Sequence, residues 1–294
     1  MPRKATSAQL EIIRAALALA SKRPFAHLLY VGDLPLPEEP FRGRSQVRKK
    51  LVQAIVSPAQ RQVVEAMGIP VLPLPKYDLG RSEKLKIAIV TGIARGLYSE
   101  GESVVALLSR KPASLPDSIL VVTVGGEGEE GGFSFLHDES IPPEVLEAVI
   151  DLAVTTGVEG WEGRPLGALF VIGDSNSAME NSRQMSLNPF RGYSEDERNL
   201  LNPDVQRSLR AFAVLDGAFV IREDGVVLAA GRYLNFDEQN VQVPLGLGAR
   251  HMAAAGISTQ TEAIAVAVSQ TSGVVRVFKK GRAVLELAPR TRRG

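Results

Sequence analysis

The chain has 294 residues, of which 45% are hydrophobic and 23% charged, with a formal net charge of +1 and no cysteine. That length suits about two domains of ordinary size, and the balance is that of a globular protein. Near-neutral charge gives no electrostatic case for nucleic acid, and the lack of cysteine excludes disulfides, thiolate metal sites and a Cys nucleophile.

The N-terminal segment places Leu10, Ile13, Leu17 and Ala20 on one face, predicting an amphipathic surface helix with Ser7 as its N-cap. It lacks the continuous apolar core of a signal peptide, and no later segment is long enough to span a bilayer. A cytoplasmic protein is expected. His27–Val31 reads as a strand ending at Gly32-Asp33, and the proline-rich run 34–40 as a loop. Val47, Leu51 and Ile55 fall in helical step, predicting a helix over 45–56. An extended piece at 71–75, a helix over 84–98 and buried strands at 103–108 and 118–124 follow. Helices alternating with buried strands predict an α/β layer with a mostly parallel sheet.

Gly125–Gly132, GGEGEEGG, is the sharpest change of composition and reads as a linker or long hairpin loop. No Gly-Lys-Ser/Thr follows, and its glutamates repel phosphate, so it is no phosphate loop. The domain boundary is placed near 140: an α/β domain over 1–140, a second domain over 141–289 and a short basic tail, 290–294.

The second half predicts a helix bearing Val145, Val149 and Leu152, then a buried strand, Gly167–Ile172. A long polar stretch, 175–197, reads as a functional or covering loop. Asn202-Pro203 starts a helix with the stripe Val205, Leu209 and Phe212. Val214–Leu234 then reads as a hairpin turning at Asp224-Gly225. Asp216 interrupts its first strand, and Gly217 beside it permits close approach of a ligand. Asp216 serves either a ligand or a strand-end bulge. Downstream, Gly246 and Gly248 lead into Arg250-His251 at a helix start. Backbone N–H groups, the helix dipole and Arg250 favour an anion there; the alternative is a small-residue helix packed on a sheet. His27 and His137 lack companion ligands and read as ordinary histidines. Strands at 263–269, 274–278 and 283–287 complete the chain.

An acid on a strand with an Arg-His pair at a helix start suits phosphoryl or nucleotidyl transfer. From about Pro142 to Leu287 the chain resembles the diadenylate cyclase (DAC) family. The resemblance is carried by Asp216-Gly217-Ala218, by Arg250-His251 in Gly248–Met252, by A-A-G-R-Y-L and by V-S-Q-T-S-G at Val268–Gly273. It implies a C-terminal mixed β-sheet flanked by helices and the condensation of two ATP molecules into cyclic di-AMP with release of pyrophosphate. By that resemblance Asp216 assists the 3′-hydroxyl or carries Mg²⁺ or Mn²⁺, and Gly217 and Ala218 shape the site. Tyr233 and Leu234 border adenine, and Gly248, Arg250, His251 and Ser269 line the phosphate side. One ATP per site implies a homo-oligomer containing face-to-face pairs, with no membrane. Met252 stands where the motif has a second arginine, Ala249 where threonine is usual, and Gln270-Thr271 where acids are common. These departures define the alternative, a sensor that binds ATP or cyclic di-AMP without turnover. Residues 82–125 resemble the C-terminal α/β domain of pyruvate kinase, as in the archaeal-type branch of the family.

Overall fold

A computed structural model describes residues 5–289 except 23, 78, 100, 112, 125–139 and 238–246. The glycine-rich run Gly125–Gly132, His137, Gly246 and the tail 290–294 lie outside the described residues. The chain divides into two compact units, one within 1–76 and 80–134, the other within 77–79 and 135–294.

In the first unit α1 (Ser7–Ala20) buries Ile13, Ala16, Leu17 and Ala20. Its cap is Thr6 rather than Ser7, because Thr6 has Gln9 three residues on. The Thr6 hydroxyl accepts from Gln9 N and the Gln9 side chain accepts from Thr6 N. β1 (Phe25–Val31), α2 (Ser45–Arg48), β2 (Leu51–Ile55), α3 (Pro58–Ala66), β3 (Val71–Pro73), α4 (Arg81–Ala94), β4 (Ser103–Leu108) and β5 (Ser118–Thr123) follow. The sheet runs β3-β2-β1-β4-β5. It is parallel except for β5. Within 45–56 only Ser45–Arg48 is helical, and Leu51–Ile55 is strand rather than helix. All five residues of β2 are buried, and a run covered on both faces has no period to read. α3 was legible but missed: Ser57 caps it, accepting from Gln60 N, and Pro58 sits at its first turn.

The second unit opens with α5 (Pro143–Glu159), β6 (Ala168–Ile172), α6 (Ser175–Glu180), β7 (Ser182–Gln184), α7 (Pro203–Phe212), β8 (Ala218–Ile221) and β9 (Val227–Leu234). It closes with α8 (Ala249–Gln260), β10 (Ile264–Val268), β11 (Val275–Lys279) and β12 (Arg282–Leu287). The sheet order is β12-β11-β10-β6-β8-β9-β7, with only β6 and β8 parallel. The architecture is mixed α/β. Ala254, Ala255 and Ile257 of α8 pack on Leu169, Val171, Ala265 and Ala267. Alternation along β6 and β10 sends Phe170 and Val266 to the other face, and α5 packs against both strands.

The stretch 175–197 is not one loop. It contains α6, β7 and a 3₁₀ turn at Asp196–Arg198. β7 reads Ser-Arg-Gln because it is a short edge strand with no apolar alternation to reveal it. The predicted cap of α7 is present: the Asn202 side chain accepts from Asp204 N at 2.9 Å.

Candidate functional site

The hairpin differs from expectation at its most informative residue. β8 begins at Ala218, so Asp216 precedes the strand. Gly217 has φ +105°, which bends the chain out of extended form. A Cβ there would lie 2.7 Å from the backbone N of Arg232 and 2.8 Å from the Cα of Gly231. This glycine lets two backbones touch and sets Asp216 at the mouth of the strand. The Asp216 side chain is 83% exposed, so the carboxylate is not buried in an apolar strand. It accepts from Arg250 Nη2 at 3.3 Å.

Arg250 comes from the first turn of α8, whose N-cap is Gly248. Gly248 carries no capping side chain and Ala249 no hydroxyl, so the first-turn N–H groups lack side-chain partners from their own segment. On the far side of Arg250, Gly167 leaves room for the guanidinium: a Cβ there would lie 3.0 Å from Nη1.

Three concavities meet at Arg250. The first, about 440 Å³, is lined by Gly248, Arg250, His251, Ser269, Thr271 and Arg276 among others. The second, about 490 Å³, collects Asp216, Gly217, Ala218, Tyr233 and Leu234 with Leu169, Met185, Phe236 and Met252. The third, about 680 Å³, runs from Asp216 and Arg250 past Gly167 and Val214 to Trp161. The structure thus gathers every sequence-predicted site residue into two adjoining cavities, with Arg250 shared by both.

His251 is only 4% exposed. Its Nε2 lies 3.3 Å from a guanidinium nitrogen of Arg276, and its ring meets Phe278 edge-on. Burial, then the neighbouring Arg276 charge, holds its pKa below the ordinary histidine value. An arginine only donates, so Nε2 accepts and the imidazole is neutral with its proton on Nδ1. Ser269 opens the β10–β11 turn, its Oγ 3.3 Å from Thr271 Oγ1. Gly273 in that turn and Gly157 of α5 approach so closely that a Cβ on either would strike the other's carbonyl oxygen, at 2.4 or 2.3 Å. The turn is pinned by that contact.

On the apolar side Tyr233 is 47% exposed, and Arg183 stacks over its ring at 4.8 Å. Arg232 is folded inward, donating to Ser182 Oγ and to the Met179 and Ser182 carbonyls. Phe236 packs where Gly256 has no Cβ; one built there would lie 2.2 Å from the ring. Sequence reasoning missed Gly167, Met185, Phe236 and Arg276. Only Arg276 carried a signal, as a lone cation in the V-R-V-F alternation of a strand.

A cavity with apolar walls adjoins one lined by cations, hydroxyls and a helix start; Arg250 is shared by both, and the Asp216 carboxylate paired with it lines the apolar one. That suits a ligand with a flat apolar end and an anionic end. Among the described residues no group of three or more His, Cys, Asp or Glu side chains gathers to hold a metal. Asp216 offers a single exposed carboxylate beside the anion cavity. This fits a hard divalent cation that takes one carboxylate from protein and its other oxygens from substrate and water.

Comparison with known proteins gives the following. A family model described as the DisA bacterial checkpoint controller nucleotide-binding (DAC) domain matches residues 155–283, from inside α5 into β12. A diadenylate cyclase of Haloferax volcanii is 32% identical over 231 residues, covering 79% of this chain and 84% of that one. One of Methanocaldococcus jannaschii is 38% identical over 224 residues, covering 74% and 71%. A crystal structure of DacA from Staphylococcus aureus aligns over 47% of this chain and 83% of its own, with 24% identity and a TM-score of 0.34.

Proposed function

This chain belongs to the diadenylate cyclase family, and from that premise we propose how its own residues perform the reaction. The protein is a nucleotidyltransferase that condenses two ATP molecules into cyclic di-AMP. The 3′-oxygen of each nucleotide bonds to the α-phosphorus of the other, each hydroxyl loses a proton, and two pyrophosphates leave.

The observation that carries the assignment of roles is the Asp216–Arg250 pair at the junction of the two cavities. The adenine and ribose occupy the apolar cavity, bordered by Tyr233 and Leu234, with Gly217 and Ala218 forming its floor. The triphosphate occupies the adjoining one, where Arg250, the amides after Gly248, and Ser269 neutralise and orient it. Asp216, exposed at the boundary, meets the 3′-hydroxyl and accepts its proton as the oxygen attacks. Neutral His251 orders the phosphate wall from behind.

The reaction uses a divalent cation, Mg²⁺ or Mn²⁺ in our assignment, which Asp216 would hold together with substrate oxygens. When bound, such an ion withdraws charge from the reacting phosphate. The other contributions are proton acceptance by Asp216 and charge neutralisation and positioning by the side chains named.

Each site holds one ATP, so the active unit is a pair of subunits facing across their sites. The exposed apolar side chains Met185, Leu187, Tyr193, Val214, Leu215 and Tyr233 support this, four of them at or beside the cavities. Among the described residues no helix is long and apolar enough to cross a membrane. A cytoplasmic location agrees with an ATP substrate.

The test is to incubate the purified chain with ATP and Mg²⁺ or Mn²⁺ and to follow products by mass spectrometry. Cyclic di-AMP and pyrophosphate are expected. Folded, assembled protein that binds ATP but forms no product with any divalent cation would instead be a nucleotide sensor.

A further inference from the structure

We propose that Arg276 is a second triphosphate-binding residue of the cyclase, reaching the Arg250 cavity from a different strand; this rests on the function proposed above. The sequence motif carries only one of its two arginines, since position 252 is methionine, and Met252 lines the apolar cavity. The cation cavity nevertheless has a second guanidinium in its wall. Arg276 stands on β11, and its side chain is only 17% exposed. Its Nε donates to Glu286 Oε2 at 2.7 Å, across the β11–β12 pairing that sets Arg276 opposite Glu286. One terminal nitrogen reaches His251 Nε2 at 3.3 Å, and the other has no hydrogen-bond partner among the described residues.

This placement holds the guanidinium on two sides while leaving donors for a ligand. Among the described residues no carboxylate lines the cavity; Asp216 and Glu286, the partners of the two arginines, stand outside its lining. Two arginine charges therefore face a space otherwise walled by hydroxyls and helix-start amides, and a group with several negative charges is the ligand that matches. A guanidinium with two fixed contacts loses little freedom on binding phosphate, which is the advantage of arginine at such a site. Burial first, and the Arg276 charge second, disfavour a charge on His251, so the positive charge in this wall is concentrated on the two arginines.

The competing account is that Arg276 is only the cross-strand partner of Glu286. Two measurements on the full chain separate them: the Kd for inorganic tripolyphosphate by calorimetry, and the KM for ATP in cyclase assays. Arg276→Gln should weaken both by about tenfold or more, the loss expected for a charged hydrogen-bonding group. Arg276→Lys should recover part of the loss, and it serves as the test by itself if the glutamine variant does not fold. Glu286→Gln, which breaks the same ion pair and keeps Arg276, should leave both within about twofold. Unchanged values in folded Arg276→Gln, or an equal loss in Glu286→Gln, would overturn the proposal. Tripolyphosphate binding needs no turnover. A wild-type chain that binds tripolyphosphate through Arg276 yet makes no cyclic di-AMP sinks the cyclase reading and spares this one. A chain that makes cyclic di-AMP and is indifferent to Arg276→Gln does the reverse.

Discussion

At the end of β1 in the first unit, polar side chains turn onto their own backbone. Asp33 accepts from Val56 N at 2.8 Å, and Gln53 donates to the Gly32 and Leu34 carbonyls. Tyr30 meets Ser109 at 3.2 Å, and burial pushes its hydroxyl pKa up to about 12. The cavity beside them is about 10 Å³, room for little more than one water. At the head of β8 in the second unit, Asp216 caps no backbone group among the described residues and stands exposed beside Arg250, lining cavities of about 490 and 680 Å³. Both ends carry an aspartate beside a glycine. One aspartate satisfies the fold, and the other is the one we propose for a ligand.

The largest way to break this contrast is Gly217→Ala. A Cβ at φ +105° meets the Arg232 backbone, so unfolding free energy should fall by about 3 kcal/mol. Cyclase activity should fall with it; a variant as stable as the wild type would mean that the close approach of β8 and β9 is not needed. Next is Arg250→Gln. Its partner Asp216 is exposed, so the pair contributes about 0.5 kcal/mol or less, and the melting temperature should barely move. The KM for ATP should rise about tenfold or more. A large loss of stability with an unchanged KM would make Arg250 structural.

Asp33→Ala tests the other side of the contrast. It removes the acceptor for a part-buried backbone donor and should cost about 1 kcal/mol in a denaturant titration. Turnover per folded molecule should not change, and a specific loss of kcat would show that the first unit takes part in chemistry.

The smallest effect concerns pH. His251 has a depressed pKa in the folded state, so it resists protonation that the unfolded chain accepts. As pH falls through about 6.5, the ordinary histidine value, the unfolded state binds more protons and stability is lost, levelling off below the depressed folded value. The fall in melting temperature between pH 7 and pH 5 should therefore be smaller in His251→Gln than in the wild type. Equal slopes would show that His251 titrates normally.

How much of this was legible in the sequence follows from what each residue depends on. α5, α7 and the strands of the second sheet other than β7 announced themselves through apolar pattern and caps, as Asn202-Pro203 did for α7. β2 did not, because a strand buried on both faces has the composition of a buried helix. The candidate residues from Asp216 to Ser269 were visible as a motif and line adjoining cavities, whereas Gly167, Met185, Phe236 and Arg276 beside them were not picked out. The setting of Asp216 was not visible, because a local reading placed it inside a strand, whereas Gly217's contact with Gly231 and Arg232 ends the strand one residue after it. Arg276 stayed hidden for a similar reason. Its meaning comes from β10, β11 and α8 lying side by side, which no spacing along the chain records.

The account turns on Asp216, and one paired measurement tests it most directly. ATP binding and cyclic di-AMP formation are measured on the same preparations of wild-type and Asp216→Asn protein. The variant is expected to keep its fold and bind ATP while forming almost no product. Near-normal turnover by Asp216→Asn would contradict the account, because the carboxylate at the junction of the two cavities would then not be the group that accepts the proton.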